Sequence, residues 1–232
     1  TLAICLTTPG GEAEVVEKMV DVIRHHFRYI YFIVPDVAMS AGTIFCMSGD
    51  KIFMDYCSSL GPIDPQVPDR DDKFLVPALN YLDKIEELLE KSRKNSITAP
   101  EMHWLAKQDL ATLKLYEQAR DLSIELLKKW LATYKFKDWT EHRTTNPGEP
   151  VLEHEKQERA REIAKALSDN NRWYSHSRRI SRDTLWKELR LEIDDFGDDE
   201  QLKKAIRGYS DPLTQYIHRQ QIPFFLYNRH VG

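Results

Sequence analysis

No stretch of the 232 residues approaches the roughly 18 consecutive apolar residues that a membrane-spanning helix requires, so the chain holds no membrane span. An excess of one charge is also missing. The 33 Lys and Arg stand against 37 Asp and Glu, a formal net charge of −4 with no polybasic run, so nucleic acid is not an expected partner. Cysteine is scarce. Cys5, Cys46 and Cys57 sit in apolar stretches without metal-like pairing, and buried free thiols in a reducing, cytoplasmic compartment are expected. There is no G-x-G-x-x-G dinucleotide loop, no lysine-centred pyridoxal phosphate motif and no acid or cysteine at ligand spacing from His25 and His26. No cofactor and no metal are therefore implied. No internal repeat occurs. An initiator methionine is also absent: the sequence opens inside the apolar run Leu2 to Leu6, and a piece of a longer protein with a further N-terminal segment or fused domain is expected.

What is present is the composition of a globular protein, 41% hydrophobic and 30% charged. Leu2 to Leu6 reads as a buried strand ended by Thr8-Pro9-Gly10-Gly11. Glu12 to Phe27 reads as a helix, with Val15, Val16, Met19, Val20 and Ile23 recurring at three- and four-residue steps. Tyr29 to Val34 is a second strand, Ala38 to Met47 a short helix and Ile52 to Met54 a third strand. This order predicts a largely parallel sheet. From Lys73 the pattern turns helical: Pro77 to Lys94, Pro100 to Lys135, Glu155 to Leu167, Asp183 to Leu189 and Glu200 to Arg219, with a polar loop over 137–150.

Two turns carry candidate chemistry. The paired glycines of Thr8-Pro9-Gly10-Gly11 allow close backbone approach to a ligand and leave amide donors at a helix start, which suits an oxyanion hole. The second turn, Ala38-Met39-Ser40-Ala41-Gly42-Thr43, sets a serine at the first turn of a helix after a buried strand. A helix cap is its plain structural role. Its chemical role is a nucleophile at the sheet end, with the Ala41 amide as second oxyanion donor.

Taken together, Pro9-Gly10-Gly11, Ser40-Ala41-Gly42-Thr43 about 30 residues on, Gly49-Asp50-Lys51-Ile52 and Ser59-Leu60-Gly61-Pro62-Ile63 resemble the ClpP/crotonase superfamily. More narrowly they resemble its signal peptide peptidase A branch and the serine dehydrogenase proteinase family. That second likeness extends through Leu75 to Leu79, Tyr116 to Arg120, Lys135-Phe136-Lys137-Asp138-Trp139 and Asp194 to Gly197. The resemblance implies an oxyanion hole from Gly11 and Ala41. The histidine of the ClpP triad would fall near Ile63 or Asp64, yet no histidine lies between His26 and His103. The signal peptide peptidase branch implies instead a Ser–Lys dyad. Lys84, 44 residues after Ser40, is the first candidate base, with Lys91, Lys94 and His176 as alternatives. Such a lysine must be desolvated, because an amine with a pKa of about 10.4 is a poor base near neutrality.

The expectation is thus an α/β fold: a ClpP/crotonase-type spiral core over residues 1–100, with a helical C-terminal extension over 101–232. The expected activity is serine peptidase chemistry on a polypeptide substrate, with Ser40 and Lys84 as catalytic pair, in a homo-oligomer. Two other readings stay open, a non-catalytic scaffold of the same fold and a crotonase-like acyl-CoA enzyme.

Overall fold

The computed structural model describes residues 1–68, 73–143 and 146–228. Thr144 and Thr145 of the expected polar loop lie outside the described residues. The chain starts β1 (Leu2–Cys5), α1 (Ala13–His26), β2 (Ile30–Ile33), β3 (Val37–Ala38), α2 (Ala41–Met47), β4 (Lys51–Met54) and β5 (Ser59–Leu60). It continues with β6 (Gln66–Pro68), β7 (Leu75–Pro77), α3 (Ala78–Arg93), α4 (Ala99–Ala106) and α5 (Leu110–Trp130), which runs into a π turn, Leu131–Lys135. Then come α6 (Glu153–Ser168), α7 (Asn170–Trp173), β8 (Ile180–Ser181), α8 (Arg182–Lys187), β9 (Asp194–Asp195) and α9 (Glu200–Gln220).

The fold is α/β. A parallel sheet has the order β1-β2-β4-β9, and a smaller sheet has the order β3-β5-β8, with β3 and β5 parallel and β8 antiparallel to β5. The alternating burial of β2 sends Ile30 and Phe32 into the core. All seven residues of α2 are buried, as its run of small and apolar side chains requires. Around them Leu126, Leu127 and Trp130 of α5 and Ile163 and Leu167 of α6 complete one apolar cluster. The boundary expected near residue 100 divides neither the sheets nor this core, because β8 and β9 pair with β5 and β4.

Three local expectations change. Ala38 is strand rather than the start of the helix, which begins at Ala41, since β3 pairs with β5 and Thr8 bridges to Ala38. The helical stretch from Pro100 to Lys135 is broken before Asp109, whose carboxylate accepts from the Ala111 amide at 3.1 Å and starts a new helix. On α1 only Val16 and Val20 are buried, while Val15 and Met19 are exposed, because one helix face can meet the core at a time. The thiols differ too. Cys46 is buried, and burial pushes its pKa up, but Cys5 and Cys57 are exposed, Cys5 because it falls on the outward alternation of β1. Among the described residues no helix is long and apolar enough to cross a membrane.

Candidate active site

Between the end of β3 and the start of α2 the chain reverses within two residues, and Ser40 takes the strain. Its φ of 53° and ψ of −119° lie outside the regions that L-residues favour. Its neighbours leave it little choice. The Met39 amide donates to the Thr8 carbonyl at 3.1 Å, and the Gly42 amide donates to the Met39 carbonyl at 2.8 Å. The Ser40 side chain makes no capping hydrogen bond to α2, so the capping role is not what holds it, and the residue stays partly accessible.

The glycine loop closes over this serine. Gly10 has φ of 122°, and a Cβ there would stand 2.9 Å from Ser40 Cβ and 3.1 Å from the Met39 carbonyl oxygen. Only glycine fits both the backbone and the space. Thr8 shapes the loop: its Oγ1 accepts from the Gly10 amide at 3.1 Å, and its amide donates to the Val37 carbonyl at 2.9 Å. On the other side its methyl packs against the bare backbone of Gly42, where a Cβ would come within 2.4 Å. It is Gly10 that packs against Ser40; Gly11, the next residue, is exposed with nothing within 4 Å of a Cβ built there, and Ala41 directly follows Ser40 in the chain. Ala41 opens α2, so its amide has no acceptor within the helix.

The candidate lysines do not meet the requirement for a base. Lys84 stands on the exposed face of α3 with its amine 2.7 Å from Glu87, three residues on, rather than in an apolar pocket. Lys91 is held by Glu101 at 2.7 Å and Glu87 at 3.1 Å, and the Glu101 hydrogen bond leads in raising its pKa. Lys94 is exposed and lies 3.5 Å from Glu90. None of these amines lies in the apolar, desolvated pocket that a lysine base requires.

His176 is placed differently. Continuing the register of β5 and β8 beyond Leu60 and Ile180 sets Asp64 opposite His176, and there Nδ1 of His176 lies 2.9 Å from Oδ1 of Asp64. Asp64 is 1% exposed, and its other oxygen accepts from Gln66 Nε2 at 2.8 Å. The Ile63 amide, donating to the Leu167 carbonyl at 3.0 Å, ties this loop to α6. The His176 loop is anchored by buried Trp173, whose Nε1 donates to the Ala166 carbonyl at 2.7 Å. Ser40 follows the end of β3 by two residues and Asp64 the end of parallel β5 by four, so Ser40 and the His176–Asp64 pair lie beyond the same end of the small sheet. An Nδ1 proton given to a buried carboxylate leaves Nε2 as a proton acceptor. Sequence reasoning put the histidine of a ClpP triad near Ile63 or Asp64, and marked His176 as an alternative base. It did not join them, because 112 residues separate the two.

Serines held at strained strand-to-helix turns on α/β sheets serve as nucleophiles in hydrolases, and this chain presents one. Comparison with known families makes the class specific. The chain belongs to the family of ClpP-like SDH-type serine proteinases, which it matches over residues 1–147. Two uncharacterised proteins of Methanocaldococcus jannaschii are similar to it. One is 25% identical over 190 residues, covering 82% of this chain and 51% of the relative. The other is 38% identical over 64 residues, covering 28% of this chain and 22% of the relative. The chain spans about half the length of the first of these and less than a quarter of the second.

Proposed function

We propose that this chain is the catalytic part of a serine peptidase with a ClpP/crotonase-type spiral core, which cleaves peptide bonds through an acyl-enzyme on Ser40. In this reading His176, oriented by Asp64, is the base in place of a lysine. The observation that carries it is the buried Asp64 carboxylate holding His176 Nδ1 at the sheet end where Ser40 stands.

The chemistry follows from these positions. As Ser40 Oγ attacks the scissile carbonyl, His176 Nε2 takes its proton, and the Asp64 carboxylate stabilises the imidazolium that forms. The amides of Gly11 and Ala41 donate to the developing oxyanion. His176 then returns the proton to the leaving amine, and a water activated by the same nitrogen hydrolyses the Ser40 ester. Exposed Met102, Trp104, Leu110 and Leu115 on α4 and α5 support a homo-oligomer, which light scattering on the full-length protein measures.

The test is labelling with a fluorophosphonate probe, with the modified residue located by mass spectrometry. Wild-type protein is expected to be labelled at Ser40, with Ser40→Ala unlabelled and His176→Ala slowed by about 10²- to 10⁴-fold. Absence of labelling in folded, full-length wild-type protein refutes the hydrolase reading and favours a scaffold.

A further inference from the structure

We infer that Thr43 is a positioning residue of this site, a hydroxyl wedge that sets the distance between the Ser40 turn and the loop bearing Asp64. The inference rests on the roles given above to Ser40, Asp64 and His176.

The hydrogen-bond ladder between β3 and β5 carries it. The Ser59 amide donates directly to the Asp36 carbonyl at 2.8 Å. Two residues further along each strand, the next rung of a parallel ladder would join the Gly61 amide to the Ala38 carbonyl. That rung is interrupted. The Gly61 amide donates instead to Thr43 Oγ1 at 2.9 Å, and Thr43 Oγ1 lies 2.8 Å from the Ala38 carbonyl oxygen and 2.9 Å from that of Gly61. A hydroxyl has one proton and can accept as well, so it relays the rung from donor to acceptor and holds the strands one oxygen further apart. Thr43 is fully buried, and its branched Cβ leaves the hydroxyl little rotational freedom.

The place of this insertion gives it its meaning. Ala38 is two residues before Ser40, and Gly61 is three residues before Asp64. Beyond this level the two segments diverge, Ser40 into the strained turn and Asp64 towards His176. The hydroxyl therefore sits at the fork between the nucleophile and the carboxylate that orients the base. A wedge lost there lets the fork close or lean. A displacement of about 1 Å between reacting groups is enough for a loss of about 10²-fold.

The experiment compares full-length wild type with Thr43→Val, Thr43→Ala and Thr43→Ser, following fluorophosphonate acylation of Ser40 against pH and thermal unfolding in parallel. Thr43→Val and Thr43→Ala are expected to stay folded and to lose about 10²-fold in acylation rate. The pH midpoint of acylation is expected to move in both, and Thr43→Ser to restore rate and midpoint. A loss explained by stability alone would leave that midpoint in place. Should Thr43→Val fail to fold, Thr43→Ala carries the test, since its smaller side chain lets the Gly61 amide reach the Ala38 carbonyl directly. Acylation of either folded variant at the wild-type rate and midpoint overturns the wedge while the roles of Ser40 and His176 stand. Folded wild type that is never acylated overturns the reading of the site and the wedge with it.

Discussion

Replacing Ser40 by glycine is expected to stabilise the protein while abolishing its reaction with fluorophosphonate. The backbone at φ 53° and ψ −119° is one that glycine adopts without penalty and an L-residue does not. Strain of this kind costs about 1–3 kcal/mol. Glycine returns about 0.5–1 kcal/mol of that through the greater freedom of its unfolded chain. The net expectation for Ser40→Gly is a gain of about 1 kcal/mol, or about 2–4 °C in Tm for a chain of this size. Ser40→Ala keeps the Cβ and hence the strain. It also loses no capping bond, because Ser40 makes none, so it should fall within about 0.5 kcal/mol of wild type. A capping serine predicts another pattern: a loss of about 1 kcal/mol for alanine and only a few tenths for glycine. Urea denaturation of the three proteins separates the two cases. If alanine costs 1 kcal/mol or more and glycine does not exceed wild type, the serine is a cap and the strain argument is refuted.

Three further outcomes are expected. Lys84→Ala should leave Ser40 acylation unchanged, because its amine is occupied by Glu87 on an exposed helix face, whereas Asp64→Asn should slow it by about 10²- to 10⁴-fold; equal losses in the two would return the base to the lysine. Arg207 of α9 grips the Asp55 carboxylate through bonds of 2.5–3.0 Å, and Asp55 is 1% exposed, so Arg207→Ala should cost about 3 kcal/mol in denaturant unfolding. Burial alone would raise the Asp55 pKa, but Arg207, the Cys57 amide and Ser58 outweigh it and hold the carboxyl below its usual range. This stability is therefore present above about pH 4 and is lost as pH falls through the depressed folded value, a loss that should shrink in Arg207→Ala. Desolvation lowers the Lys135 amine to about 8, against the pull of Asp194 and Glu192. The unfolded chain then holds the proton more tightly, so stability should rise between about pH 8 and pH 10, and Lys135→Met should remove that rise. A flat profile in wild type would count against a buried amine.

The parallel strands, α1 and the two turns around Ser40 were legible in the sequence because each rests on near neighbours. The strands read as short apolar runs, although β1, expected to be buried, is an edge strand whose residues alternate between partly accessible and exposed; α1 read as a three- and four-residue recurrence, and the glycine loop as a pair of residues that tolerate unusual backbone angles. These local features, with the motifs that resemble a family, were enough to single out Ser40, Gly11 and Ala41 as candidates and to point to the family the chain matches. The surroundings of the candidate bases were not legible. A lysine in a charged helix reads the same whether it is buried or paired, and only the packed chain sets Lys84 against Glu87 in solvent. His176 meets Asp64 across 112 residues, and Arg207 meets Asp55 across 152, separations that no periodicity reports. The short strands β8 and β9 are likewise two residues each, too brief to carry an alternation, and exist because β5 and β4 offer them free edges. Sequence patterning records what a residue needs from its own helix or strand. Which distant segment supplies its partner is decided by the one arrangement that buries the apolar faces together and leaves each buried carboxylate with its donors.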